Sequence, residues 1–261
     1  MILAICNHKG GVAKTTTAYY LAAVAAQRRV RPLLIDMDPQ SNLTRMCGGR
    51  LPGRPTIGDV LGGAHRPTVN LQQAKEYITF DSGVVPVGGY LVPAEIGLEN
   101  VATGLHARDF GRLTALREAL TYHLQDKLII IDTPPNAGIL TLNALVASTH
   151  VIMCADPEED AIAGVQRIVS IVGQIEGERR EAPAILGVLA TRVDATLSRH
   201  AEGLAALEAP DMPPLLGSIP KRAGRDAGKA LAEAYGPLAE LVLTAAGLLQ
   251  PAEVADARLA S

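Results

Sequence analysis

Five short, unbroken apolar runs constrain this chain more than any other feature: ILAIC (2–6), PLLID (32–36), LIIID (128–132), HVIMC (150–154) and ILGVLAT (185–191). Continuous rather than alternating hydrophobicity marks strands buried on both faces, as in a parallel sheet covered by helices. Segments of helical period lie between them: TTTAYYLAAVAAQR after the first run, LTALREALTYHL before the third, and AIAGVQRIVSIVGQI after the fourth. This alternation predicts an α/β fold, an open, doubly wound, mostly parallel β-sheet flanked by helices on both faces. VVPVGGYLVPAEI (84–96) is expected to add a strand and its turn, and residues 48–75 to form loops with a short helix around TIGDVL. No internal repeat or interdomain linker divides the sequence, so residues 1–261 are read as a single domain.

Composition narrows the function classes. A 48% hydrophobic and 20% charged chain is ordinary for a soluble globular protein. The formal net charge of −3 gives no bulk attraction to nucleic acid, so such binding requires a local basic patch. Cys6, Cys47 and Cys154 lie far apart without a C-x-x-C spacing, which reads as reduced thiols in a cytoplasmic protein. The first apolar run is too short for a signal peptide and has no basic segment before it. No run approaches the length of a membrane span.

In doubly wound sheets, ligands bind beyond the C-terminal ends of the strands. The stretch NHKGGVAKTT (7–16) falls there, between the first strand and the first long helix. The ordinary phosphate-loop rule is Gly-x-x-x-x-Gly-Lys-Ser/Thr. Counting back from Lys14 and Thr15 puts His8 and Ala13 where its glycines belong. Even so, Gly10 and Gly11 allow close approach of a phosphate to a helix N-terminus rich in unsatisfied N–H groups. Lys14 is placed to reach the β- and γ-phosphates, and the Thr15 hydroxyl to ligate Mg²⁺. Two further apolar strands end in acids: Asp132 after LIII, and Asp36 and Asp38 in PLLIDMDPQ. A carboxylate at a strand tip is what Mg²⁺–nucleotide sites use to hold the metal's water shell.

Taken together, KGGVAKTT, LIDMDPQSN and IIDTPP closely resemble the deviant Walker A, Walker A′ and Walker B motifs of ParA-type partition ATPases, within the wider ParA/MinD class. The resemblance continues through TLNALVASTHVIMCADPEEDAIAGV, GVLATRVDATLSRHAEGL and GSIPKRAGRDAGKAL, in order and spacing, and so covers nearly the whole chain. The deviant loop of this family is K-G-G-x-x-K-T/S, which accounts for the missing glycines. Most members carry Gly at the position of Ala13, where a methyl fits if the backbone keeps φ negative.

The resemblance implies ATP and Mg²⁺ as ligands and a set of residue roles. Lys9 matches the signature lysine that reaches the partner subunit's nucleotide in an ATP-bound homodimer. Lys14 matches the main phosphate-binding lysine, Thr15 the Mg²⁺ ligand and Thr16 a phosphate contact, with Gly10, Gly11, Val12 and Ala13 completing the loop. Asp38 matches the carboxylate that orients the attacking water, Asp132 the Walker B acid acting on Mg²⁺ through water, and Asp36 a supporting acid. Adenine contacts are expected near Thr191–Arg192 and Pro220–Lys221. Hydrolysis is expected to be slow until a ParB-type centromere-binding protein stimulates it.

Other members of the class fit less well. The nitrogenase iron protein needs cluster-bridging cysteines, whereas Cys6 and Cys154 lie inside apolar runs. MinD-like regulatory ATPases end in a basic amphipathic helix, unlike LLQPAEVADARLAS, so no membrane partner is expected. Because the sequence starts at its first strand, the short form without a helix-turn-helix extension is expected. The partition branch binds DNA without sequence preference when ATP-dimerised. Lys221, Arg222, Arg225 and Lys229, with Arg192 and Arg199, are the candidate DNA-facing residues, which implies nucleoid association. The same build could instead position a protein cargo on the nucleoid.

Overall fold

The structure is a computed structural model that describes residues 1–62, 69–80, 87–121, 127–179, 181–221 and 227–249. Within them the chain runs β1 (Ile2–Cys6), α1 (Lys14–Gln27), β2 (Leu33–Asp36), α2 (Asn42–Met46), α3 (Ile57–Leu61), α4 (Leu71–Ala74) and β3 (Glu76–Phe80). It continues through β4 (Val87–Val92), α5 (Leu98–His106), α6 (Ala115–Thr121), β5 (Ile129–Asp132), α7 (Ile139–Ala147) and β6 (His150–Ala155). The last elements are α8 (Glu159–Arg179), β7 (Ala184–Val193), α9 (Ser198–Leu207), β8 (Leu215–Pro220), α10 (Ala227–Ala234) and α11 (Gly236–Ala245).

All eight strands join one sheet in the order β3-β4-β2-β5-β1-β6-β7-β8. Every pairing is parallel except β3 with β4. The doubly wound, mostly parallel sheet expected from the apolar runs is therefore the fold. Its two-sided burial follows from the pleat. Leu33 and Ile35 of β2, with Ile129 and Ile131 of β5, face one helical layer. Leu34 and Ile130, one residue out of phase, face the other with α1.

The strand order reverses at β1, which lies between β5 and β6. That switch point leaves a crevice beyond the strand tips, where the loop into α1 begins. Residues Thr17 to Ala25 of α1 are buried on all sides, so the helix that starts at the crevice is held rigidly. Cys6 and Cys154 are free and buried in β1 and β6, and burial pushes each thiol up to about 12; Cys47 is free and partly buried. Among the described residues, no helix is long and apolar enough to cross a membrane.

Candidate nucleotide-binding site

Asn7 follows the end of β1 and anchors the loop into α1. Its side-chain amide donates to the carbonyls of Cys154 (2.7 Å) and Ala161 (3.1 Å), and its Oδ1 accepts from Lys9 N–H (2.9 Å). The loop then turns through two left-handed residues, Gly11 at φ 77° and Ala13 at φ 59°. The second corrects the expectation of a negative φ at Ala13: the loop takes a shape that suits glycine, and the methyl is carried there under strain. Ala13 is the N-cap of α1, and its carbonyl accepts from Thr17 N–H at 2.8 Å. Gly10, Gly11, Val12, Ala13, Lys14, Thr15 and Thr16 all border one cavity of about 840 Å³.

The Lys14 ammonium is buried and donates to the Lys9 carbonyl at 2.9 Å, folded back along its own loop. Burial lowers its pKa, against the opposing pull of the Asp132 charge. Thr15 Oγ1 donates to Asp132 Oδ2 at 2.7 Å. The other oxygen, Asp132 Oδ1, is buried and has no hydrogen-bond partner among the described residues. Burial, and then the neighbouring Asp36 charge, raise Asp132 well above the usual carboxylate range.

Asp36 is also fully buried, but its oxygens are occupied by Asp38 N–H (3.0 Å), Thr44 N–H (2.8 Å) and Thr44 Oγ1 (2.7 Å). Burial raises its pKa to about 6 despite those donors. Asp36 thus shapes the turn that delivers Asp38. Asp38 borders the cavity and accepts from Gln40 N–H at 2.9 Å.

A buried carboxylate with an orphaned oxygen, beside a threonine hydroxyl, is a place where a hard cation lowers the energy of the fold. No group of three or more His, Cys, Asp or Glu side chains suited to a metal occurs among the described residues. The residues present therefore fit a cation that takes one or two protein oxygens and completes its shell with phosphate and water, as Mg²⁺ does.

Lys9 is held within its own chain. Its ammonium pairs with Asp156 at 3.3 Å and Glu158 at 3.0 Å, beyond the tip of β6. Burial acts to lower its pKa, but these two acids outweigh it and raise the pKa overall.

Near the C-terminal end of β7, Thr191 is fully buried and donates to the Val12 carbonyl at 3.0 Å, so it supports the loop from below rather than bordering the cavity. Arg192 borders the cavity, and its guanidinium donates to the Gly11 carbonyl at 2.7 Å. Pro220 and Lys221 border the cavity too. Of the candidate DNA-facing residues, Arg192 is thus engaged with the loop and Lys221 sits at the cavity. Arg199 on α9 and Lys229 on α10 are exposed, Lys229 lying 4.0 Å from Glu233. Arg222 and Arg225 lie outside the described residues.

Several cavity residues either lie outside the quoted motifs or, like Asn42 and Leu231, close them without an assigned role. Asn42, Arg45 and Met46 come from α2, and Leu231 and Tyr235 from the far end of the chain. Asn7 stood inside the loop motif, and its two amide functions following an apolar strand were the available signal.

Comparison with known proteins agrees with this geometry. Residues 1–184 match the family described as AAA domain. The chain is 36% identical over 193 residues to the chromosome-partitioning ATPase Soj of Thermus thermophilus, covering 74% of this chain and 69% of that one. Identity to the chromosome partitioning protein ParA of Caulobacter vibrioides is 36% over 194 residues, 74% of this chain and 70% of the relative. Among solved structures, cobyrinic acid a,c-diamide synthase from Mycobacterium smegmatis, with bound ADP and magnesium, superposes with a TM-score of 0.77. It is 32% identical and the match covers 92% of this chain and 93% of that one. The glycine- and lysine-bearing loop at the switch point, acids at two strand tips and these relatives agree: the chain belongs to the ParA-type partition ATPases.

Proposed function

We infer that this chain is a Mg²⁺-dependent ATPase that binds ATP at the switch-point cavity, dimerises in the ATP state, and then holds DNA without sequence preference. The observation that carries the reading is the convergence of Lys14, Thr15 and Asp38 on that cavity, with the buried Asp132 bonded directly behind Thr15. Lys14 would neutralise phosphate charge once its ammonium leaves the Lys9 carbonyl. Thr15 and Asp132 would hold Mg²⁺, which supplies charge neutralisation when bound. Asp38, fixed by Asp36 and by the Gln40 N–H, would orient water toward the γ-phosphate.

Lys9 would complete a second subunit's site, as in its relatives' family, which requires it to leave Asp156 and Glu158. A ParB-type protein would accelerate hydrolysis and so end the DNA-bound state. The partition activity named for the Thermus and Caulobacter relatives supports this reading, and the ADP and magnesium in the Mycobacterium structure support the ligands.

The deciding experiment compares Lys14→Ala with Asp38→Ala. Lys14→Ala should abolish nucleotide binding. Asp38→Ala should keep binding and ATP-dependent dimerisation but lose turnover by a factor of about 10² or more. Hydrolysis at the wild-type rate by Asp38→Ala would remove Asp38 from the mechanism.

A further inference from the structure

We propose that Thr191 and Arg192 form a clasp that holds the phosphate loop in its anion-binding shape, with Arg192 a positioning residue acting through the Gly11 carbonyl rather than a contact to base or DNA. The proposal rests on the nucleotide reading of the cavity given above. It starts from a backbone irregularity at the end of β7. That strand pairs Ala190 with Ser218 and Val193 with Pro220 of β8, so three steps along β7 meet two along β8. The surplus is taken up at Arg192, which sits at φ 55° in the left-handed region. An arginine there is strained, and such strain persists only where surrounding contacts fix it.

The irregularity re-aims a side chain. In an unbroken strand, Thr191 and Arg192 would point to opposite faces of the sheet. Here both reach the same loop, Thr191 at the Val12 carbonyl and Arg192 at the Gly11 carbonyl. A carbonyl oxygen turned toward a phosphate would repel it. With these two consecutive carbonyls engaged by donors from β7, the loop's N–H groups are the ones left to meet an anion. The engagement lies between Gly11 at φ 77° and Ala13 at φ 59°, so the clasp also holds the two turns that shape the loop. A side chain at Gly11 would meet Arg192 Nη1 at 3.5 Å, which shows how closely the guanidinium lies over the loop.

The test measures Mg-ATP and Mg-ADP affinity by calorimetry for wild type, Arg192→Met, Thr191→Val and Thr191→Ser. Hydrogen exchange of the loop amides at 10–13 is followed in the same proteins without nucleotide. The clasp predicts that Arg192→Met and Thr191→Val weaken ATP and ADP by the same factor, about tenfold. It also predicts faster loop exchange, and that Thr191→Ser, which keeps the hydroxyl, restores both. Because Arg192 is exposed, Arg192→Met should fold even if Thr191→Val does not.

Loss confined to ATP would make Arg192 a γ-phosphate contact and overturn the clasp. Loss of DNA retention with nucleotide affinity and loop exchange unchanged would overturn it in favour of a DNA-facing role. Wild-type protein that binds neither nucleotide would overturn both the clasp and the nucleotide reading. Wild-type binding matched by every variant overturns the clasp alone.

Discussion

Ala13 and Asp132 show, residue by residue, stability given up at the proposed nucleotide site. Ala13 carries a methyl at φ 59°, where glycine is at ease. Ala13→Gly should therefore raise stability in urea denaturation by roughly 0.5–1 kcal/mol, since relief of the strain exceeds the entropy of a more flexible unfolded chain. A loss of stability would mean that the methyl's packing outweighs its strain. Asp132 is destabilising in a pH-dependent way. Its carboxyl faces Asp36 and Asp38, with Thr15 and Lys14 as the favourable neighbours, and its pKa is raised chiefly by burial. From about pH 4 upward the unfolded chain loses a proton that the native state retains, so native stability falls as pH rises through that window. In EDTA, Asp132→Asn should flatten this slope and be more stable than wild type at pH 7.5, by on the order of 1–3 kcal/mol, while near pH 4 the two should converge. The same variant should lose Mg²⁺-dependent turnover. A variant less stable than wild type at both pH values would show that the buried Asp132 carboxyl does not destabilise the fold.

Elements differ in how plainly the sequence declares them, and the difference is physical. β1, β2, β5, β6 and β7 are buried on both faces or nearly so, and unbroken apolar runs record that. β3 is an edge strand whose residues alternate between buried and exposed, and its EYITF contains a buried glutamate, so no apolar run marks it. β8 is interrupted by Gly217 and Ser218 and is signalled by the family resemblance rather than by its own composition. The candidate site divides the same way. Lys14, Thr15, Asp38 and Asp132 lie in short local motifs at strand ends, whereas Tyr235, Leu231 and Arg45 reach the cavity through tertiary packing that no local pattern encodes. The β4 edge makes its own prediction. A Cβ at Gly89 would stand 2.8 Å from the Phe80 ring and 3.0 Å from the Pro32 carbonyl, which itself accepts from Tyr90 N–H at 2.9 Å. Phe80 is fully buried against Tyr19 of α1, so neither neighbour can yield freely. Gly89→Ala should cost about 1–3 kcal/mol in urea midpoint measurements through overpacking at the β3–β4 edge. A change below roughly 0.5 kcal/mol would mean that Phe80 has room to move.

For the whole molecule, the proposed ATP-state dimer turns on Lys9. In the single chain its ammonium is neutralised by Asp156 and Glu158, contacts that are only partly shielded from water. Partly exposed ion pairs contribute little, typically under about 1 kcal/mol, so a nucleotide's phosphates presented by a second subunit can outcompete them. The proposed dimerisation would then need no unfolding, only the exchange of one set of anions for another. Lys9→Ala tests this at the level of assembly. The variant should bind Mg-ATP within a few-fold of wild type, because Lys14, Thr15 and the loop amides are intact. Light scattering should find it monomeric with ATP where wild type is dimeric. Because the proposed DNA surface is assembled from two subunits, DNA retention should fall with dimerisation. In wild type, the log–log dependence of DNA affinity on salt should steepen by about 0.9 for each phosphate neutralised, and the whole dependence should require ATP. A Lys9→Ala protein that dimerises fully with ATP would confine Lys9 to its own chain, leaving the pairs with Asp156 and Glu158 as its entire role.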